Sequence, residues 1–180
     1  MKTQSIPSIS SRLGSLSGAA GLLLAALLAA CAAPSGYNVR ALAAGDPRDR
    51  VEQVMGAPTA THALPGGATR LEYSHAPSGR VTYMVDLGPD GRLVRWEQVL
   101  DEVHFQRLHA GMSREQVLAE LGSPSERGHY LLPAPAETWT YHFLTRDACE
   151  VFQIAFSEAS SLTLDHGATE QDPRCGMAAP

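Results

Sequence analysis

At 180 residues the chain suits one ordinary domain or two very small ones. Its 19 Asp and Glu outnumber 14 Lys and Arg, which argues against nucleic acid, a partner that needs a basic stripe, and against electrostatic adhesion to anionic lipid. The excess grows once the first thirty residues are set aside: Lys2 and Arg12 leave with them, and 12 Arg then face 19 acidic residues, a formal charge of −7.

The chain opens on a weakly basic stretch carrying Lys2 and Arg12. Residues 18–30, GAAGLLLAALLAA, follow as an uncharged apolar run, too short to span a bilayer comfortably. The run ends Leu28-Ala29-Ala30-Cys31 and resembles the lipobox of bacterial lipoproteins. That resemblance implies that residues 1–30 are a lipoprotein signal peptide. It also implies that Cys31 receives a diacylglycerol thioether, is freed by cleavage on its N-terminal side and is then N-acylated. One acyl chain holds only marginally, at roughly 0.8 kcal/mol per buried methylene, whereas two or three anchor durably. Ala32 follows the cysteine. In the lipoproteins that it resembles an Asp there favours the inner membrane, so the expectation is an outer-membrane anchor facing the periplasm. With Cys31 taken, Cys149 and Cys175 remain, and in an oxidising compartment they are expected to form a disulfide. Two free thiols or a metal site are the alternatives, and no CxxC or HxxxH spacing supports the metal.

Residues 31–37 read as a tether, after which a repeat organises the chain. GDPRDRVEQVMGAP at 45–58 is echoed by GMSREQVLAELGSP at 111–124. At a constant offset of 66, Leu42, Ala44, Gly45, Val51, Gly56 and Pro58 match Leu108, Ala110, Gly111, Val117, Gly122 and Pro124. The first copy spans 38–100, the second 101–167, and 168–180 form a tail. Each begins with a short apolar turn, 39–44 and 103–110, followed by a capped amphipathic helix. Asp46 is placed to cap the first helix, with Pro47 at its first position. Ser113 and Gln116 have capping-box spacing for the second. Asp101 is placed to cap the short helix after it. Strand patterns follow at 69–75, 80–87 and 92–100, and again at 138–145, 149–157 and 160–165. A hairpin centred near 158 sets Cys149 opposite about residue 168. The expected fold class is therefore α+β, two tandem helix-helix-three-strand antiparallel units. Roughly 60 residues make a marginal core alone, and two such units can share an interface.

Chemistry is sparsely signalled. No GxSxG elbow, phosphate-binding glycine loop or calcium ladder occurs. His104 and His109 read as solvated, His75 and His142 as ordinary strand residues. The expectation is no enzyme, no cofactor and no metal. Strand alternation turns most of Tyr73, Trp96, Trp139 and Tyr141 inward, and the opposite face carries Arg70, Glu72, Met84, Arg95 and Glu97 in the first copy and Thr140, His142 and Gln153 in the second. If the two sheets align, that face forms a polar platform for a protein partner.

FQRLHAGMSREQVLAELGSP, Phe105 to Pro124, followed by Trp139-Thr140-Tyr141, resembles the signature of the SmpA/OmlA, or BamE-like, family of outer-membrane lipoproteins. The resemblance covers 101–165 well and 37–100 more weakly, and Cys31 fits it. It implies a two-layer sandwich of two helices and three strands, and a non-enzymatic role beside the machinery that inserts β-barrels into the outer membrane. Members are usually single copies. Two copies in one chain are similar to the tandem arrangement of the β-lactamase inhibitory proteins, which implies as the alternative an inhibitor or sensor of a periplasmic enzyme such as a hydrolase.

Overall fold

The computed structural model describes residues 36–130, 136–157 and 163–175, so Cys31 and the lipobox lie outside the described residues. A 3-10 turn, Val39–Ala41, leads to helix α1, Arg48–Met55. Strand β1 (Ala60–Ala63), a second 3-10 turn (Pro65–Gly67), and strands β2 (Thr69–Ser74), β3 (Thr82–Leu87) and β4 (Leu93–Gln98) complete the first half. The second half runs α2 (Glu102–Phe105), α3 (Arg114–Leu121), β5 (Glu126–Tyr130), β6 (Ala136–Leu144), β7 (Cys149–Ser157) and β8 (Thr163–Gln171). Each half closes one antiparallel sheet of four strands, in the orders β1-β2-β3-β4 and β5-β6-β7-β8.

This overturns the expected α+β class with two helix-helix-three-strand units. The described chain is mostly β, and its helices span 8, 4 and 8 residues. The helix expected first in copy one is a single 3-10 turn of 3 residues. The unforeseen fourth strands are β1 and β5. Neither ATHA nor ERGHY alternates apolar with polar residues, so neither shows a buried face in sequence. Both are sheet edges held by backbone pairing to β2 and β6.

Local chemistry explains the helix boundaries. Ser113 and Gln116 form the expected capping box: Ser113 N–H donates to Gln116 Oε1 at 2.7 Å, and Gln116 N–H donates to Ser113 Oγ at 3.3 Å. The expected cap of α1 is corrected. Pro47, extended at φ −70°, ψ 156°, is itself the N-cap residue. The Asp46 carboxylate instead accepts from Ala43 N–H at 2.9 Å, closing the preceding turn. Gly56 and Gly122 end the two helices with φ of 84° and 79°.

The halves interlock within one compact unit, Ser35–Pro180. One face of the first sheet, with Leu71, Tyr73, Val85 and Leu87, packs against Val51 and Met55 of α1. From the other face Met84 enters a second core with Val117, Leu121, Trp139, Tyr141 and Phe156. Helix α3 therefore lies between the two sheets. Trp96, expected inward, is 37% exposed on edge strand β4, where it meets Tyr83 edge-on at 6.1 Å. Among the described residues no helix is long and apolar enough to cross a membrane.

The β7–β8 register differs from the expectation. Glu150 faces Gln171, so Cys149 lies level with Asp172, whose N–H donates to Cys149 O at 3.1 Å, and not with residue 168. Strand β8 begins and ends later than 160–165 and carries an irregularity opposite Ala155 and Phe156. The turn after β8 returns Cys175 to Cys149, their Cα atoms 5.7 Å apart and their sulfurs within bonding distance.

Candidate functional site

The residues expected to form one polar platform occupy two separate places. Arg70, Glu72 and Met84 are buried beneath the second half. Arg70 donates to both Asp86 carboxylate oxygens, at 2.6 and 2.9 Å, and to Ala119 O at the C-terminal end of α3, at 2.7 Å. That cation meets the carbonyl end of a helix, where positive charge is favoured. Glu72 accepts Ser123 N–H at 2.9 Å and lies 3.0 Å from His62 Nε2. Arg95 is exposed and bridges Asp86 and Glu97 at 2.9 and 3.2 Å. The Asp86 hydrogen bond holds the Arg70 pKa above its ordinary value, against the desolvation that opposes it. Burial pushes Asp86 upward, but the hydrogen bonds and charges of Arg70 and Arg95 outweigh it and leave the carboxyl below its usual range. These residues fasten the halves together; sequence alternation located their face, but not the helix that covers it.

Thr140, His142 and Gln153 lie on the second sheet, on the face turned away from α3. Gln153 Nε2 donates to Thr140 Oγ1 at 3.2 Å. His142, expected exposed, is buried. Its Nδ1 lies 3.0 Å from Asp172 Oδ2, and its Nε2 3.4 Å from Glu126 Oε1. Arg80, from the β2–β3 connection of the first half, donates to Asp172 Oδ2 at 2.8 Å, and Arg174 N–H donates to Oδ1 at 2.8 Å. Desolvation raises the Asp172 carboxyl, but these donors prevail and bring it down to about 2. Sequence reasoning missed this clasp, because Arg80 and Asp172 are 92 residues apart. The nearby disulfide was its one available signal.

His104, expected solvated, is buried as well. Asp101 Oδ1 caps α2 by accepting His104 N–H at 2.9 Å, as expected, and also meets the ring Nδ1 at 2.7 Å. Both buried imidazoles are turned from solvent and held by charged groups, Asp101 for His104, and Asp172, Glu126 and the Arg174 guanidinium for His142, an arrangement that ties elements together. No cluster of three His, Cys, Asp or Glu placed to hold a metal occurs among the described residues.

The open features lie on either side of Phe105. Its ring stacks on Phe152 at 4.1 Å between centroids and meets Phe143 edge-on at 4.8 Å. A cleft of about 390 Å³ on one side is lined by Leu108, Phe152, Ile154, Gly167 and Thr169. A cleft of about 400 Å³ on the other is lined by Phe143, Leu144, Thr145 and three carboxylate residues, Asp101, Glu102 and Glu150. Both share Phe105, Glu102 and Thr169. Leu144 at the rim is 59% exposed. Sequence reading placed the Phe105 turn but not the clefts, whose walls come from α2, the turn after it and strands β6, β7 and β8.

Compared with family models, with curated proteins and with solved structures, the chain has no match.

Proposed function

We propose that this chain is an outer-membrane lipoprotein of the SmpA/OmlA type, anchored through Cys31 and facing the periplasm, that acts by holding a protein partner during β-barrel assembly or envelope maintenance. The observation that carries the reading is Leu28-Ala29-Ala30-Cys31 at the end of an uncharged run. The folded unit adds support: its buried charges are engaged with one another, while two clefts beside Phe105, lined by apolar side chains and carboxylates together, stay open. Concave surface that combines apolar walls with a few polar groups suits recognition.

The test is a globomycin-type block of lipoprotein processing. A precursor retaining residues 1–30 is expected to accumulate, and normal maturation under the block would refute the anchor. Proximity labelling from the exported chain is expected to recover barrel-assembly components. The duplication itself favours the second reading, an inhibitor of a soluble periplasmic hydrolase, and that reading predicts labelling of such an enzyme instead. It has less support, because the first sheet is covered on both faces and offers no open partner surface to pair with the second.

A further inference from the structure

The second sheet ends on β8, and Gly167 to Gln171 of that strand are all exposed. An uncovered edge strand offers unpaired backbone donors and acceptors to another chain. On the face toward α2, Gly167 and Thr169 lie opposite Ile154 and Phe152. Gly167 lines the first cleft only, whereas Thr169 lines both. The glycine is required by close approach: a Cβ there would meet the Phe152 ring at 2.7 Å. The floor of the first cleft thus sits directly against the free edge.

We propose that the β8 edge and the two clefts beside it form a groove for an extended segment of a partner polypeptide, which adds to the sheet as a fifth strand. Alternate residues of an added strand face the same side, about 7 Å apart. One such residue is set beside Gly167 and the next beside Thr169, which matches the order of the two clefts. The first has Phe105, Leu108, Phe152 and Ile154 along one wall, with Glu102, Gln106 and His109 also lining it, and that wall takes an apolar side chain. The second is lined by the aromatic rings of Phe105 and Phe143 together with the carboxylates of Glu102 and Glu150. Neither of those carboxylates forms an ion pair among the described residues; Glu102 accepts only a hydrogen bond, from Gln106, at 3.2 Å. Carboxylates together with aromatic rings suit a cation. The recognised pattern is therefore an apolar residue and, two positions on, Lys or Arg, with main-chain hydrogen bonds supplying affinity and the clefts supplying selection.

This inference rests on the protein-binding reading above and names the kind of segment bound. The test uses the full-length lipidated chain in detergent micelles and labelled nine-residue peptides followed by fluorescence anisotropy. A β-prone peptide with Leu and, two positions on, Lys is expected to bind saturably. Changing that Lys to Glu, or N-methylating the backbone amides that would meet β8, is expected to weaken binding by about tenfold or more. Glu102→Lys together with Glu150→Lys is expected to reverse the preference toward the Glu peptide, a readout that general destabilisation would not produce. Binding indifferent to N-methylation, absence of binding by every peptide, or a chain that already pairs with a second copy through β8 would overturn the groove. Proximity labelling separates the two levels: envelope neighbours recovered by a chain that binds no peptide would sink the groove alone, and labelling of no envelope protein would sink the wider reading.

Discussion

Gly56 and Gly122 occupy the same position of the repeat, with nearly the same φ, and still do different work. Around Gly56 an added Cβ meets nothing within 4 Å. At Gly122 it meets Thr82 Cγ2 at 2.9 Å, Glu72 Cδ at 3.0 Å and Met84 Cε at 3.1 Å. Tyr141 Oη donates to Gly122 O at 3.1 Å, so the backbone there is held from the second sheet as well. Gly56→Ala bears only the backbone strain of φ 84°, ψ −172°, a region kept almost entirely to glycine, and is expected to cost about 1–3 kcal/mol. Gly122→Ala, at φ 79°, ψ −165°, adds overpacking at the seam and is expected to cost about 1–3 kcal/mol more than Gly56→Ala. Urea unfolding of the two variants measures the contrast, and equal losses would contradict the seam. The sequence marked both glycines as helix stops. It could not show that one of them abuts strands β2 and β3 of the first sheet, at Glu72, Thr82 and Met84, because that proximity is a property of docking.

At the scale of elements, propensity and pattern carried α1, α3 and the long strands. They failed for β1 and β5, whose stability comes from neighbours' backbone groups and not from a buried stripe. They also failed for the length of β8, which continues through Gly167 and Ala168 because β7 supplies a ladder. Strand propensity depends on context more than helix propensity does. The β7–β8 hairpin is tied off by Cys149 and Cys175, 26 residues apart in sequence. Closing a loop of that length stabilises by about 3.5 kcal/mol in the chain-entropy account. Replacing both cysteines with Ser is expected to lower the unfolding free energy by about 2–4 kcal/mol, and mass mapping without reductant is expected to find the two joined. Two freely alkylated thiols in the exported protein would contradict the bridge.

Over the whole molecule, the second copy covers the first. Arg70 reaches α3, Glu72 reaches Ser123, and Arg80 reaches Asp172 beside the disulfide. Asp172 makes this assembly sensitive to acid. Its carboxyl is lowered from 3.8 to about 2 in the folded chain. A carboxyl depressed on folding contributes stability above its unfolded value and loses it as pH falls through the folded one. The contribution is expected to be intact above about pH 4 and to fade toward pH 2. It amounts to about 1 kcal/mol once solvent screening is allowed for. Asp172→Asn is expected to flatten that part of the stability–pH curve, and an unchanged slope between pH 4 and pH 2 would refute the clasp. By itself the sequence determined the repeat, the helices α1 and α3 with the capping box of the latter, the cysteine pair and the lipobox expectation, because each depends on residues close along the chain or few enough to pair by elimination. Only the tertiary structure decided which sheet faces are free. A strand's alternation separates its two faces, but what covers each depends on how one copy docks on the other. That docking buried Arg70, Glu72 and Met84 and left the edge beside Phe105 open.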